Sequence, residues 1–254
     1  MGAARKSGAW KKAFRVLAIL LSIPVLTLVI WTGWTMYSLT PGQTAREEQR
    51  LLAAVEKSPA YSEAHLDLGA FYSRKGHYEK DPVLRKKWCR LSSDEFTLAL
   101  DYARSEISRC WLLPDVAASA FENGEYERAR RIAAEMVVRA TPPVAHPWED
   151  CNRGNSIHQG HMILGKVALK RGNVSAAKRE LLLAGQTPGS PQLDSFGPNM
   201  SLARELLERG ERDTVLAYFD ECGTFWKGYL SKLGGWRKTV KAGGIPNFGA
   251  NLYY

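Results

Sequence analysis

The amino-acid sequence predicts an all-α protein, in which a solenoid of helical hairpins follows one N-terminal transmembrane helix. Three observations lead to this prediction. Apolar and small residues recur three and four positions apart, which places them on one face of a helix rather than on a strand. The same pattern returns at a fixed interval, and a single helical hairpin cannot bury its own apolar faces without neighbours. Finally, the chain has no charged residue from position 16 to position 45.

Residues 156–191 show the repeated pattern most clearly and predict two short antiparallel helices. Gly165 lies on the apolar face of the first helix, and Gly172 supplies a residue that tolerates positive φ where that helix ends. Ala177 lies on the apolar face of the second helix. Because Gly165 and Ala177 have little or no side chain, we expect the two backbones to approach closely at this point.

This segment resembles a tetratricopeptide repeat (TPR). The residues at the successive signature places of the motif are Leu164, Gly165, Ala168, Gly172, Ala177, Leu181 and Ala184. His161 stands where the motif has an aromatic residue, and Gly189 stands where it closes with proline. The resemblance implies a TPR-like right-handed solenoid whose concave face binds a protein or peptide. The C-terminal half also resembles a family of uncharacterised bacterial TPR-like membrane proteins, to which no activity is attached.

The same pattern recurs in three further units. Gly69 and Ala117 hold the place of Gly165, and the two intervals between these three residues are each 48 residues long. A plain repeat is about 34 residues, so the first two units contain insertions of about fourteen residues each. The last unit places Ala203 at the equivalent position. We therefore predict a TPR-like repeat domain over residues 47–222.

The insertions and the C-terminus are predicted to be less regular. Asp81-Pro82 should break the first unit, with a basic insertion after it and a helix that resumes near Ser92. The second insertion, residues 142–155, is proline-rich and is expected to be irregular. Residues 223–254 are predicted to form a capping helix, over 224–241, and an extended tail.

The N-terminal residues predict the topology. Residues 1–15 contain five basic and no acidic residues and are assigned to the cytoplasm. Residues 16–39 are long enough, at ~1.5 Å per residue, to cross the roughly 30 Å hydrocarbon layer of the cytoplasmic (inner) membrane. A cleaved signal peptide would have only ~7–15 apolar residues and a small-residue cleavage site. We therefore predict a single-pass anchor, a linker over 40–46 and an extracytoplasmic C-terminal domain.

Charge and cysteine content limit the partners and the covalent bonds. The net charge is +9, but five of these charges precede the predicted anchor, so the sequence gives no indication of a nucleic-acid partner. Four cysteines in an oxidising compartment permit disulfides. Cys89 and Cys110 should lie at opposite ends of one helix, which leaves Cys110 with Cys151 as the pairing to consider. Cys222 falls at a core position and is expected to be an inert buried thiol.

One segment suggests an alternative function, that of a zinc-dependent hydrolase. Its candidate ligands are His146, Glu149, His158 and His161, with Asp150 or Cys151 as substitutes for the acid. His158 and His161 are three residues apart and would share one face of a helix. However, His65 occupies the same repeat position as His161, and such recurrence favours packing over metal binding. Cys151 with His158 is a weaker candidate for a thiol nucleophile and its base.

We therefore expect a membrane-anchored scaffold or adaptor that binds proteins or peptides, with no catalytic residue and no cofactor. The candidate residues on its concave face are Asp67, Arg74, Lys166 and Lys170. Four aromatic residues of the first unit are expected to fill gaps between helices: Phe71, Tyr72, Tyr78 and Trp88. A third possibility is a small accessory subunit of a membrane protein complex. The sequence does not predict an oligomeric state.

Overall fold

The structure, a computed structural model, describes residues 41–141 and 147–253, and every regular element in these ranges is a helix. The α-helices are α1 (Pro41–Lys57), α2 (Ser62–Tyr78), α3 (Pro82–Asp101), α4 (Glu106–Glu122), α5 (Tyr126–Ala140), α6 (Pro147–Lys170), α7 (Val174–Gly185), α8 (Pro191–Phe196), α9 (Ser201–Leu207), α10 (Arg212–Phe225) and α11 (Leu230–Lys241). Short 3₁₀ turns span Lys227–Tyr229 and Gly249–Leu252. The predicted all-α class is confirmed.

The chain divides into two compact units, residues 1–53 and residues 54–254. In the described part of the first unit, α1 already begins at Pro41, so residues 41–46, which were predicted to be a linker, are helical. In the part of the chain that the structure describes, no helix is both long and apolar enough to cross a membrane. The predicted membrane helix, residues 16–39, lies outside the described residues.

The second unit consists of helices packed in adjacent pairs, α2 with α3, α4 with α5, α6 with α7, and α9 with α10. The glycine of the first pair permits close contact, since a Cβ atom added at Gly69 would lie only 2.9 Å from the ring of Phe96. A Cβ added at Gly165 would overlap the side chain of Leu202 on the next pair and would lie 3.5 Å from the carbonyl oxygen of Ala177 in its own pair. Gly172 ends its helix with φ of +74°. The predicted side-by-side packing at these small residues is confirmed.

The first insertion differs from its prediction. Asp81 and Pro82 start α3 rather than break the chain, because the Asp81 carboxylate accepts hydrogen bonds from the N–H groups of Val83 and Leu84. The basic insertion is therefore the first half of one helix. Ser92 lies inside that helix, and its hydroxyl donates to the carbonyl oxygen of Gly69.

Three other boundaries also differ. The helix predicted to join Ser92 to Arg109 ends at Asp101, and Ser105 caps the next helix by accepting from the N–H of Ser108. The second insertion is helical from Pro147 onward, so α6 is 24 residues long. The predicted capping helix begins at Leu230, because ψ of 56° at Trp226 redirects the chain.

Two groups of buried side chains form the core of the second unit. One lies among α3, α4, α5 and α6 and includes Phe96 and Met136. The other lies among α6, α7, α9, α10 and α11 and includes Trp226, Trp236 and Phe248. Cys222 is fully buried in the second group, and this burial raises the pKa of its thiol, as expected for an inert core cysteine.

Candidate functional site

A groove of about 690 Å³ runs along the first helices of three successive pairs, α2, α4 and α6. Residues of α3 between Arg85 and Phe96 form part of the wall, and Asn199, Ser201, Leu252 and Tyr253 complete the lining. We call this cavity the inner groove. α4 also packs directly on α6, so the first helices of the second and third pairs are neighbours. The groove is therefore lined by helices of three successive pairs.

Asp115, on α4, is the most unusual charged residue of the inner groove. No hydrogen bond or ion pair joins its carboxylate to any of the residues that the structure describes. Asp115 is an exposed residue of the groove, although neighbouring protein atoms replace part of the water around its carboxylate. This desolvation raises the pKa of Asp115 to about 6. An uncompensated carboxylate in a groove can attract a cation.

Two cations also line the groove, Lys166 and Arg85, and the Arg85 guanidinium donates to the carbonyl oxygen of Glu79. Lys166 Nζ lies 3.5 Å from Glu122 Oε1 and 4.6 Å from the centroid of the Phe121 ring. Lys170 Nζ lies 6.0 Å from the same ring, near the edge of the groove. Lys166 thus combines an ion pair with a cation–π contact, which holds its ammonium group in place.

The four predicted binding residues therefore have different positions. Lys166 lines the inner groove, whereas Asp67, Arg74 and Lys170 are exposed residues that do not line it. Asp115 was missed, although it stands two residues before Ala117 just as Asp67 stands two residues before Gly69. The repeat register pairs it with Asp67, which does not line the groove, so the register alone could not have identified it.

The C-terminal residues reach the groove because Asn251 is fixed in the second unit. Its Nδ2 atom donates to the carbonyl oxygens of Phe196, at 3.1 Å, and Pro198, at 3.0 Å, and its Oδ1 atom accepts from Lys232 Nζ at 2.8 Å. Asn251 is 1% exposed. The next residues then lie along the groove, where the ring centroid of Tyr253 is 4.5 Å from that of His77. No periodicity in the sequence indicated this contact.

The histidines of the alternative zinc site make hydrogen bonds within the fold. His158 Nδ1 donates to the carbonyl oxygen of Ala184, and His158 Nε2 accepts from the N–H of Asn199, each at 3.0 Å. Complete burial lowers the pKa of His158 to about 4, so the ring is neutral at pH 7. Both nitrogens are thus occupied by the backbone, which leaves neither lone pair for a metal ion.

The second histidine of this segment packs as its repeat position indicates. His161 Nδ1 lies 2.8 Å from Glu180 Oε2, and His65 Nδ1 lies 2.7 Å from Glu95 Oε2 at the equivalent position of the first pair. His146 and the side chain of Glu149 lie outside the described residues. Among the residues that are described, no three His, Cys, Asp or Glu side chains are grouped to hold a metal. Zinc binding stays a prediction.

Two other groups of sequence candidates can be placed. Phe71 and Tyr72 are buried, and Trp88 is half-buried and stacks on Tyr72 with the centroids 5.8 Å apart, so these three fill gaps between α2 and α3. Tyr78 differs, because 62% of it is exposed. The side chain of Cys151 is not among those described, so its pairing with Cys110 stays a prediction.

Comparison with protein-family models, with curated proteins and with solved structures finds no match to this chain. The resemblance to the tetratricopeptide repeat therefore stays a prediction based on the residues quoted above. The function is inferred below from the geometry and charge of the inner groove.

Proposed function

We propose that this protein is a membrane-anchored, TPR-like adaptor that binds an extended peptide segment of another protein in the inner groove. The observation that supports this proposal most directly is the uncompensated carboxylate of Asp115 inside a groove built from three successive hairpins. Solenoids offer such extended surfaces to partners, although the fold alone does not define the partner.

The dimensions and lining of the groove suit a peptide. Its volume of about 690 Å³ falls within the range of roughly 300–1,000 Å³ that is typical of ligand sites. Apolar side chains such as Phe121 and Met162 alternate along it with polar side chains such as Ser119 and Gln159. Apolar contacts supply affinity, and the polar groups can pair with the main chain of an extended segment.

The charge pattern indicates which peptide. Lys166 is paired with Glu122 and Arg85 is held by the carbonyl oxygen of Glu79, whereas a positive charge presented to Asp115 would break no existing contact. Such a pair would form in a partly desolvated groove, where Coulomb attraction is stronger than in water. We therefore propose that the segment carries a lysine or arginine at the position that faces Asp115.

The location that we propose for the protein is based on its N-terminal residues. In this proposal residues 16–39 cross the cytoplasmic membrane once, residues 1–15 remain in the cytoplasm, and the helical domain faces the other side. The partner is then an extracytoplasmic protein, and the adaptor holds it at the membrane. Association with a larger membrane complex, as an accessory subunit, is compatible with this role.

Site-specific photo-crosslinking in native membranes tests the proposal. A photoreactive phenylalanine analogue would replace Ala118, an accessible residue of the groove, or Val138, a 69% exposed residue of α5 outside it. We expect a discrete crosslinked protein from position 118 and none from position 138. The same crosslinks from both positions, or none from either, would contradict binding in the groove.

A further inference from the structure

Three exposed apolar residues flank the turn between α2 and α3. Tyr78 is 62% exposed, Val83 is 76% exposed and Leu84 is 41% exposed, and these three residues lie within seven positions of one another. We call residues 78–90 the α2–α3 tip. Neighbouring apolar side chains of this size, left in water at the end of a hairpin, indicate a surface that contacts something else.

The same tip is strongly basic. Residues 78–90 contain five lysines and arginines against two acids. Both acids are engaged locally, because Glu79 accepts from the N–H groups of Lys80 and Asp81, and Asp81 caps α3. Lys80, Lys86, Lys87 and Arg90 are exposed. The uncompensated positive charge is therefore at the surface of the tip.

Val83 and three basic residues of α3 share one face. On α3, Val83 is followed three, four and seven residues later by Lys86, Lys87 and Arg90, which a helix places on the same side. Beneath them Trp88 stacks on Tyr72, and Lys75 Nζ lies 3.6 Å from the centroid of the Trp88 ring. The tip is thus held by packed aromatic rings and presents a fixed surface.

We infer that the α2–α3 tip is a second contact with the membrane, at a surface rich in anionic lipid. Apolar side chains gain by entering the boundary between headgroups and acyl chains, while lysines and arginines beside them pair with lipid phosphates. Binding to the phosphates of a nucleic acid would use the cations but leave Val83 and Leu84 in water, so lipid fits the tip better. This inference does not depend on the peptide proposed for the inner groove.

Hydrogen–deuterium exchange of the full-length chain tests the inference. The protein would be reconstituted in vesicles of phosphatidylcholine alone or of phosphatidylcholine with phosphatidylglycerol. We expect the amides of residues 79–90 to exchange several-fold more slowly only with phosphatidylglycerol, and high salt to reverse this because it screens exposed charges. The amides of α6 should be unchanged.

Two variants and one control make the result specific. The slower amide exchange on phosphatidylglycerol vesicles should be lost in a variant that combines Lys80→Glu, Lys86→Glu and Arg90→Glu. It should also be lost in a variant that combines Val83→Ser with Leu84→Ser. The control variant combines Lys227→Glu, Lys238→Glu and Lys241→Glu, which reverses the same number of exposed charges outside the α2–α3 tip. It should still show the slower amide exchange of residues 79–90. Equal exchange on both kinds of vesicle would overturn the inference. So would the same slowing by double-stranded DNA without vesicles, which would indicate a nucleic-acid surface instead.

Discussion

The ring of Tyr253 lies edge to face against the ring of His77, with the two centroids 4.5 Å apart. This contact joins the C-terminal residues to α2 along the inner groove, which both residues line. Tyr253 is nevertheless 62% exposed, so only part of its ring is covered by the contact. An aromatic pair contributes about 0.5–1.5 kcal/mol. The tail can therefore cover one end of the groove and yet be displaced by a ligand.

Tyr253→Ala should consequently strengthen peptide binding. In the wild type a ligand must break this aromatic contact, which contributes about 0.5–1.5 kcal/mol. Because the variant lacks the contact, the dissociation constant of the peptide should be about twofold to tenfold lower. Fluorescence anisotropy with a labelled groove-binding peptide measures this. Tyr61→Ala removes a half-exposed tyrosine that does not line the groove and should have no effect. Weaker binding by Tyr253→Ala would mean that Tyr253 belongs to the binding surface.

His158 should make the fold sensitive to acid. Its pKa is lowered to about 4, whereas the unfolded chain takes up a proton near pH 6.5, so stability is lost as pH falls from about 6.5 towards 4. Between pH 7 and pH 5 the loss should be about 2 kcal/mol.

Urea unfolding at the two pH values measures this loss. His158→Gln should be less stable at pH 7, because the backbone partners at Ala184 and Asn199 lose their hydrogen bonds, at about 1–3 kcal/mol for each group left unsatisfied. The same variant should lose less stability on acidification. His77→Gln, a change at an exposed histidine, serves as the control. Equal acid sensitivity of the wild type and His158→Gln would contradict this role.

The ionised carboxylate of Asp115 should reduce the free energy of unfolding at neutral pH. Because its folded-state pKa is raised to about 6, its protonated form contributes stability that is present in acid and is lost as pH rises through 6. Asp115→Asn should therefore stabilise the protein above pH 6 and change little at pH 4. The gain should be below about 1 kcal/mol, since solvent screens an accessible carboxylate. Thermal unfolding at both pH values measures it, and an effect of the opposite sign would show that the carboxylate has a partner.

The close approach at Gly69 can be tested with a matched glycine. Gly69→Ala places a Cβ 2.9 Å from the ring of Phe96 and should destabilise the fold by about 1–3 kcal/mol through overpacking. Gly235→Ala, inside α11, meets nothing within 4 Å and should stabilise by about 0.5–1 kcal/mol. Chemical denaturation measures both. Similar changes in stability at the two positions would contradict the conclusion that Gly69 is needed for the close packing of α2 on α3.

The helix pairs could be predicted because their small residues act locally. Gly69 and Gly165 permit contact with helices of their own hairpin or the next, and this requirement appears in the sequence as a spacing. The start of α3 could not be predicted in this way. Pro82 is compatible with either the end or the first turn of a helix, and only the capping bonds of Asp81 decide between the two.

The inner groove was less predictable, because it depends on how successive hairpins stack. Asp67 and Asp115 occupy equivalent places in the sequence pattern, yet only Asp115 lines the groove. Helical periodicity defines a face of each helix, but it does not specify which faces converge. Tyr253 belongs to a tail without periodicity, so its contact with His77 is a property of the assembled fold alone.

A peptide-library selection against the full-length protein tests the central claim most directly. Enriched peptides should share a lysine or arginine at one position and should bind Asp115→Asn about tenfold more weakly, as expected if one partly desolvated ion pair is lost. Asp67→Asn makes the same change in charge outside the groove and should leave the affinity unchanged, and binding to the wild type should weaken as pH falls below 6. If the selected peptides lack a shared basic residue, or bind Asp115→Asn as tightly as the wild type, the inner groove does not recognise its ligand through Asp115.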